Sequence, residues 1–431
     1  MALSVVEQPY SWTLRGQRLL YRISSTNVTE DGFKYGVSVT DIATGKVYTF
    51  FVDRSPATND LLFDLAPVVK MFNDESTPDL HTAPTDEIWS EPNGGSWKQF
   101  SIQFSEWWII GGVLTDNETY LNRSIQVLNG YYQPSDGYKP SVDGAGMTQL
   151  AFTSPTSRAW SDRQWNTHHW WNAPSAFNAQ TTSRTFIPCL GTDYGLLYAP
   201  LKTTLAGNAQ RISINFFSGN MPIGSTAIIP TGGEVIGVGV YPMNLNDSAL
   251  SVSPALLPTW THYMVTFTNT GGAGNKTMNY LFYDQEKSGQ YDCRYDYVRI
   301  AWVNSRSGWD YANFIKKNEV SNDFERKQYK KLLINEYGTF NNWQRQLTDR
   351  ETIVTQTLTI TSDWIQENEY VFLRGLFASN QVEIIDTTSP KNLGYRKPVS
   401  IIDTSFLERK ERNGKLYNIT IKIKYSQDYW T

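Results

Sequence analysis

The adjacent histidines His168 and His169 are the most conspicuous chemically active side chains in this sequence of 431 residues. Imidazole nitrogens bind metal ions, but neighbouring side chains of an extended segment point to opposite sides of the backbone. The pair also lacks the ligand spacing of a zinc site. We therefore expect no metal ion and no other cofactor here, and a role in structure or in an interface instead.

Three carboxylates, Asp292, Asp296 and Asp310, bracket an aromatic segment and are the next candidates for chemistry. Glycoside hydrolysis needs two carboxylates roughly 5 to 9 Å apart across a cleft. No diagnostic motif surrounds these three, and turn or strand-edge positions explain them better. The sequence has no Gly-X-Ser-X-Gly motif for a serine nucleophile, and the glycines of residues 231–239 lack the helix that follows a phosphate-binding loop. We expect a protein that is not an enzyme.

Tryptophan is concentrated in residues 160–171, where the indole rings can stack on sugar rings or be buried at a protein interface. A second aromatic group, residues 302–311, flanks a polar turn. Because tryptophan and tyrosine often dominate the binding energy of interfaces, we favour interface burial for both groups. The residues that we expect to contact a partner are Trp160, Trp165, Trp170, Trp171, Trp302, Trp309 and Tyr311.

The second aromatic group is positioned by a predicted strand over residues 295–303, which carries apolar or aromatic side chains on both faces. A polar turn follows at residues 304–308, and its Gly308 can adopt a positive φ. The run 309–314 then folds back. The pattern predicts a rigid, aromatic corner on which other segments pack.

Short alternating runs separated by turn residues predict a mainly β, multidomain protein built from β-sandwich-like modules. We place an N-terminal β-sandwich at residues 1–85 and a central all-β domain at residues 86–290. Within the central domain, residues 115–182 have little periodicity and are expected to form a long irregular excursion. Residues 291–431 are the third predicted domain, an α+β assembly domain that carries one clear helix.

Two helical segments are predicted from their capping residues. Asp64 is expected to cap a short helical turn over residues 65–72, which tolerates Pro67 in its first turn. Asp363 is expected to open the clear helix, whose apolar side chains fall on one stripe. The residues of this stripe are Ile365, Phe372, Leu373, Leu376 and Phe377.

Few charges and many rings characterise the composition: 19% of the residues are charged, 14% are aromatic and the net charge is −4. A general nucleic-acid-binding protein needs a basic stripe, whereas the basic cluster at residues 325–331 is short and mixed. Cys189 and Cys293 are too few for a disulfide framework and are expected to be buried thiols. Without a secretory signal or a bilayer-spanning apolar stretch, we expect synthesis in a cytoplasm and no membrane association.

Two blocks of the sequence share aromatic and turn patterns with a known group of proteins. The first comprises residues 21–23, the run FKYGVSV at 33–39 and the run NDLLFDLAPVV at 59–69. The second extends from Cys293 to the end and includes the aromatic corner and the predicted helix. Both blocks resemble virion proteins of tailed bacteriophages, the first block their opening β-domain. The resemblance implies a structural role in tail, baseplate or neck, and it brings no active-site residues.

Composition and resemblance together predict a structural component of a tailed-phage virion that acts by subunit packing. Its expected partners are other virion proteins and copies of itself, and its expected location is the virion, after synthesis in the host cytoplasm. One alternative is a receptor-binding tail protein that binds a host surface glycan through residues 160–171. The other alternative is a glycan-degrading enzyme.

Overall fold

The structure, a computed structural model, is mainly β and confirms the predicted fold class, with six sheets and two helices among the residues that it describes. The chain divides into two compact units: residues 1–283 together with 303–310, and residues 284–302 together with 311–431. The described residues are 3–9, 12–15, 19–71, 90–92, 97–128, 141–142, 148–149, 187–200, 210–228, 235–246, 250, 252–269, 276–287, 295–304, 308–331, 346–365, 367–385, 396–403, 418–426 and 429–430.

The N-terminal part contains two separate sheets, whose strands differ greatly in length. The elements described between residues 3 and 128 are β1 (Leu3–Glu7), β2 (Trp12–Leu14), β3 (Leu20–Ser25), β4 (Lys34–Asp41), β5 (Val47–Val52), β6 (Leu61–Asp64), α1 (Ala66–Met71), β7 (Ser90–Pro92), β8 (Trp97–Ile110) and β9 (Val113–Leu128). One sheet has the order β1-β3-β6 and the other the order β2-β9-β8-β4-β5. Strands β3, β4 and β5 are short strands of the kind that the alternating runs of the sequence predict.

These two sheets enclose one hydrophobic core. Ile23 and Leu61 come from the three-stranded sheet, Val37 and Ile102 come from the five-stranded sheet, and all four are fully buried. Every second side chain of a strand points to the same face, so the alternation in the sequence fills the core from both sides. Each such aliphatic side chain contributes about 1.5–3 kcal/mol when it is buried.

Helix α1 begins at a cap that also fixes the preceding chain. The Oδ1 atom of Asp64 accepts hydrogen bonds from the backbone N–H groups of Ala66 and Leu19, both at 3.0 Å. Pro67 costs little in the first turn, because the first N–H groups of a helix have no intrahelical acceptor. The predicted short helix is confirmed.

Strands β8 and β9 correct two predicted segment limits. Strand β8 pairs with the whole of β4, so the N-terminal sheet extends beyond the boundary predicted at residue 85. Strand β9 occupies the start of the predicted irregular excursion at 115–182, which therefore cannot begin before residue 129. Residues 113–124 are exposed or only half-buried on both faces, so they lack the alternation from which a strand is predicted.

The central part is all-β where the structure describes it, as predicted. Its elements are β10 (Ser141–Val142), β11 (Thr148–Gln149), β12 (Ile187–Cys189), β13 (Leu196–Pro200), β14 (Gln210–Ser218), β15 (Met221–Ile228), β16 (Val235–Gly239), β17 (His262–Asn269) and β18 (Lys276–Asp284). Strands β10 and β11 pair with each other, and the two larger sheets have the orders β12-β18-β17-β14-β15 and β13-β16-β7. Cys189 is a buried thiol, as expected.

The C-terminal part is one large sheet with a helix against it. Its elements are β19 (Val298–Val303), β20 (Trp309–Phe314), β21 (Glu319–Lys330), β22 (Leu347–Thr361), α2 (Glu367–Ala378), β23 (Val382–Ile385), β24 (Arg396–Ile401), β25 (Thr420–Tyr425) and β26 (Tyr429–Trp430). The sheet order is β20-β19-β23-β24-β25-β22-β21, and β26 also pairs with β22. The predicted apolar stripe of the helix faces the core of this sheet.

The helix starts later than predicted. Asp363 does not cap it, because α2 begins at Glu367 and the Asp363 carboxylate lies 3.1 Å from the Lys316 ammonium. Two hydrogen bonds of 2.8 and 2.9 Å join Ser362, in the stretch before the helix, to Ile419. Among the described residues, neither helix is long and apolar enough to cross a membrane.

Candidate assembly surfaces

Trp302 is a core residue of the C-terminal sheet and not a surface anchor. Its side chain is fully buried and packs on Phe372 of α2, with 5.1 Å between ring centroids. The expectation that Trp302 contacts a partner is corrected by this burial. Strand β19 is covered on both faces, so the alternation of its sequence does not separate an outer face from an inner one.

Trp309 and Tyr311 are also core residues, with 1% and 4% of their surface exposed. Arg299 is buried beside Tyr311: its guanidinium lies 5.0 Å from the centre of the Tyr311 ring and donates to Asn313 Oδ1 at 2.7 Å. The cation over the ring and the hydrogen bond offset the cost of burying this charge. The expected partner contact is corrected for Trp309 and Tyr311 too.

Buried carboxylates in the described part of the chain have structural hydrogen bonds. Asp310, a candidate acid in the sequence and the second residue of β20, accepts a bond of 3.1 Å from Nδ2 of Asn304, which precedes that strand. Glu106 is fully buried, and it accepts from the hydroxyl of Ser25 and, at 3.0 Å, from Asn27 Nδ2. Both carboxylates hold turns and strands in place through these bonds.

The remaining candidates of the sequence lie mostly outside the described residues. They include Asp292, the two histidines and the tryptophans at positions 160, 165, 170 and 171, for which glycan stacking and partner contact both stay predictions. In the described ranges, no group of three His, Cys, Asp or Glu side chains is arranged to hold a metal ion.

Among the described residues, exposed aliphatic side chains are concentrated at the end of the β8–β9 hairpin. We call these four residues the apolar tip: Ile109, Ile110, Val113 and Leu114, which are 40%, 53%, 66% and 36% exposed. They flank a two-residue turn, Gly111-Gly112, with φ values of 62° and 86°. A type I′ turn requires positive φ at both positions, so the glycines allow the tightest connection between the strands. The pairing sets Ile110 opposite Val113 on one face of the hairpin and Ile109 opposite Leu114 on the other.

The apolar tip is held in place by the turn before β4. The backbone N–H of Ile109 donates to the carbonyl of Asp31 at 2.9 Å. Gly32 lies against the same side chain with φ +66°, and a Cβ atom there would be 2.6 Å from Ile109 Cδ1. Only glycine fits this conformation and this approach. The tip is therefore a supported structure and not a free loop end.

An aromatic contact continues from the tip across the outer face of the sheet. The indole of Trp107 covers Gly36, where a Cβ atom would lie 2.7 Å from Trp107 Nε1. Beyond Gly36 the indole meets Phe51 edge to face, with 5.1 Å between centroids, and Phe51 is 49% exposed. Exposed apolar surface thus extends from the tip to the edge strand β5.

Acidic side chains surround the apolar tip. Glu30 and Asp31 belong to the exposed turn that contacts Ile109, and Asp116 and Glu118 follow the tip along β9. The carboxylate of Asp116 accepts a hydrogen bond of 2.8 Å from the Tyr120 hydroxyl, which raises the pKa of that phenol. An apolar centre with a charged rim is the usual arrangement of a protein-binding patch.

Strands β21 and β22 form the second candidate surface, which we call the ribbon. Pairing extends along all twelve residues of β21, and every one of them is exposed. Strand β25 pairs with β22 only at residues 357–361, and β26 only at 353–354. In the described part of the chain, residues 347–352 therefore pair with β21 alone. At about 3.3 Å per residue, β21 is about 40 Å long.

The ribbon combines exposed apolar groups with cross-strand ion pairs. Phe324 is 62% exposed. Lys327 lies 3.0 Å from Glu351, and Arg326 lies 3.7 Å from Asp349. Each exposed pair of this kind contributes about 0–1 kcal/mol. The ion pairs favour this register of the ribbon, and the side chains of β21 stay exposed.

Neither surface was among the sequence-predicted sites, although each has a local signal. A Gly-Gly pair between two apolar runs is typical of a hairpin turn, and it explains why residues 107–113 are not one continuous strand. The ribbon has a weaker signal, since β21 is mixed in charge and exposed on both faces and so has no apolar period.

No protein-family model matches the chain, and no curated protein matches its sequence.

Proposed function

We propose that the protein is a structural component of a tailed-phage virion, in the tail, baseplate or neck, and that contacts with other virion proteins hold it in the particle. The proposal rests on the apolar tip, where the fold exposes four aliphatic side chains at the end of a long hairpin. The resemblance of the N- and C-terminal blocks to virion proteins is the reason for proposing a tailed-phage particle.

Covering the apolar tip is favourable, because each Å² of apolar surface removed from water contributes about 25 cal/mol. Large exposed apolar patches on soluble proteins usually mark interaction sites. The tip is preorganised by its two-residue turn and by the contact between Gly32 and Ile109, so little conformational entropy is lost on binding. These features support a permanent contact.

The acidic side chains around the tip indicate the chemistry of the partner. Glu30, Asp31, Asp116 and Glu118 repel an acidic surface and attract a basic one. The partner that fits is a virion protein with an apolar pocket, lined by aliphatic or aromatic side chains and bordered by Lys or Arg.

Mass spectrometry of purified particles, from cells in which the chain is expressed from its native genome, tests the proposal. We expect the chain at a fixed copy number per particle. Amine cross-linking should join Lys34, which pairs with Trp107 in the sheet, to another virion protein. Recovery of the chain only from the soluble fraction of the lysate, and never from particles, would overturn the proposal.

The double substitution I110T/V113T tests the tip itself. Threonine retains the branched Cβ that strands favour and removes apolar surface, so the fold is preserved while incorporation into particles falls several-fold. The control is M221T/L256T, which alters two other exposed side chains, 72% and 65% exposed, and should leave incorporation unchanged. Equal incorporation of both variants would show that the tip is not the contact.

A further inference from the structure

Strand β21 ends the C-terminal sheet and leaves one edge without a neighbour in the part of the chain that the structure describes. An edge strand presents unpaired N–H and C=O groups that can pair with another strand. Natural edges are usually interrupted by a proline or a bulge, and β21 has neither. The single register shift of the ribbon places the extra residue, Arg350, in β22.

The two halves of this edge carry opposite charge. The first half contains Glu319, Asp323 and Glu325, and the second half, with the next residue, contains the basic side chains. These are Arg326, Lys327, Lys330 and Lys331. A parallel pair of identical strands would set like charges side by side, whereas an antiparallel pair sets each half against the opposite half.

When an edge strand carries charges of one sign, the edges of two copies repel each other. Such charges commonly protect a protein against edge-to-edge pairing. Strand β21 differs, because its charges change sign near the middle. A second copy in antiparallel orientation therefore meets attraction along the strand. The pattern is self-complementary, as a two-fold symmetric contact requires.

The symmetry restricts the register of such a contact. In a two-fold antiparallel pair one residue faces its own copy, and residues equally distant on either side face each other. If that residue is Glu325, then Asp323 faces Lys327 and Glu319 faces Lys331 of the other copy. The two Glu325 carboxylates then face each other on the axis as one like-charge pair, and Lys327 of the other copy is a diagonal neighbour that offsets the repulsion of each.

Neighbouring registers place fewer opposite charges together. A pair centred on Arg326 retains only the contact between Glu325 and Lys327. A pair centred on Phe324 sets Asp323 against Glu325. The register centred on Glu325 also sets the exposed ring of Phe324 opposite Arg326, a cation over an aromatic face.

We infer that β21 is the site at which two copies of this chain pair, edge to edge and antiparallel, with Glu325 on the two-fold axis. The inference deepens the proposed function, on which it rests, by assigning the contact between copies to the ribbon. It is independent of the apolar tip, which meets a different protein.

A charge-exchange experiment tests the pairing. One variant, E319K/D323K, makes the edge basic, and the other, K327E/K331E, makes it acidic. In sedimentation velocity over a concentration series, each variant alone should self-associate at least about ten-fold more weakly than the unmodified chain. An equimolar mixture of the two should restore association. The control K422E/K424E makes the same change on the inner strand β25 and should have no effect.

Cysteine cross-linking tests the register. Residues that face each other in an antiparallel pair have Cα atoms about 4.5–5.5 Å apart, within the range for a disulfide. The E325C variant should therefore form a disulfide-linked dimer under mild oxidation. S321C is the matched control, since its two copies would lie eight residues apart along the strands, about 26 Å. The parent chain, with its two native cysteines, should remain uncross-linked.

The possible outcomes separate this inference from the proposed function. Restored association in the mixture, with a dimer from E325C and none from S321C, supports it. A chain that is present in particles but shows no effect of either edge variant overturns the edge pairing and leaves the proposed function standing. If the chain pairs through β21 but is absent from particles, the proposed function and the assembly role of the pair are both overturned.

Discussion

The imidazole of His262, at the start of β17, is held as a neutral ring. It stacks on Phe217 with 5.0 Å between centroids and an interplanar angle of 6°, and its Nδ1 lies 3.2 Å from Thr261 Oγ1. Burial lowers the pKa of His262 below its ordinary value of 6.5, because the imidazolium loses its hydration. A single residue thus makes the stability of this sheet sensitive to acid.

The sign of this effect follows from proton linkage. The unfolded chain binds the proton of His262 at about pH 6.5, whereas the folded chain binds it only at lower pH. The stability associated with the neutral ring is complete above pH 6.5 and is lost as the pH falls through the lowered pKa. The H262F variant keeps the ring stack, and its urea unfolding free energy should fall less over this window than that of the unmodified chain. Identical pH dependence in both proteins would contradict the assignment.

Residue types in the sequence identify which side chains contribute to packing. They do not show whether a given side chain is buried or exposed. Trp302 and Trp364 illustrate the limit: the first is fully buried and the second is 63% exposed. Both are tryptophans close to predicted elements, and the difference arises from the cover that α2 provides over β19. Contacts of this kind join residues distant in sequence, so local pattern does not determine them.

The hairpin that carries the apolar tip depends on the turn residue Gly32. Its contribution to stability can be measured by comparison with Gly45, which has the same backbone conformation. Gly32 has φ +66° and Gly45 has φ +68°, but a Cβ atom at Gly45 would meet nothing within 4 Å. We expect Gly45→Ala to cost about 1–2 kcal/mol in backbone strain alone. Gly32→Ala should cost more, because its methyl group would also collide with Ile109.

Urea unfolding of the two glycine variants measures the difference. In the background I109A, which removes the colliding atoms, the cost of Gly32→Ala should fall to that of Gly45→Ala, as a double-mutant cycle reports. Equal costs at the two glycines in the unmodified background would mean that the turn does not support the tip.

Elements with one buried face could be predicted from the sequence, and elements without a buried face could not. Strand β4 alternates between buried and partly exposed residues, and its predicted position is correct. The outer part of β9 and the whole of β21 are exposed on both faces, so no period distinguishes them from loops. These hard-to-predict elements form both candidate surfaces, because an exposed strand is available for a partner.

At the scale of the whole molecule, the sheets join segments that sequence reasoning assigns to different domains. Strand β8 completes the sheet of β4, across the boundary predicted at residue 85. Within the predicted central domain, strand β7 pairs with β16, over 140 residues later in the chain. Such pairings join strands that are far apart in the chain. Neither a local turn nor the hydrophobic pattern of one strand identifies its distant partner. The fold class follows from alternation within single strands, whereas the pairing of distant strands does not.

Among the described residues, two hydrophobic cores have no residue in common, one from residues 3–127 and the other from residues 298–425. We therefore expect calorimetry to resolve more than one unfolding transition, since separate cores need not unfold together. Trp302→Ala removes a fully buried indole from the second core and should lower the stability of that core by about 3–5 kcal/mol. The transition of the first core should stay at its original temperature.

The matched control is Trp364→Ala, which deletes the same side chain from an exposed position in the same unit. Surface substitutions of this kind change stability by about 0.5 kcal/mol or less, so both transitions should remain. If Trp302→Ala lowered all transitions together, the two cores would form one cooperative unit. If it lowered none, Trp302 would not be the core residue that its contact with Phe372 indicates, and its role as a partner anchor would have to be reconsidered.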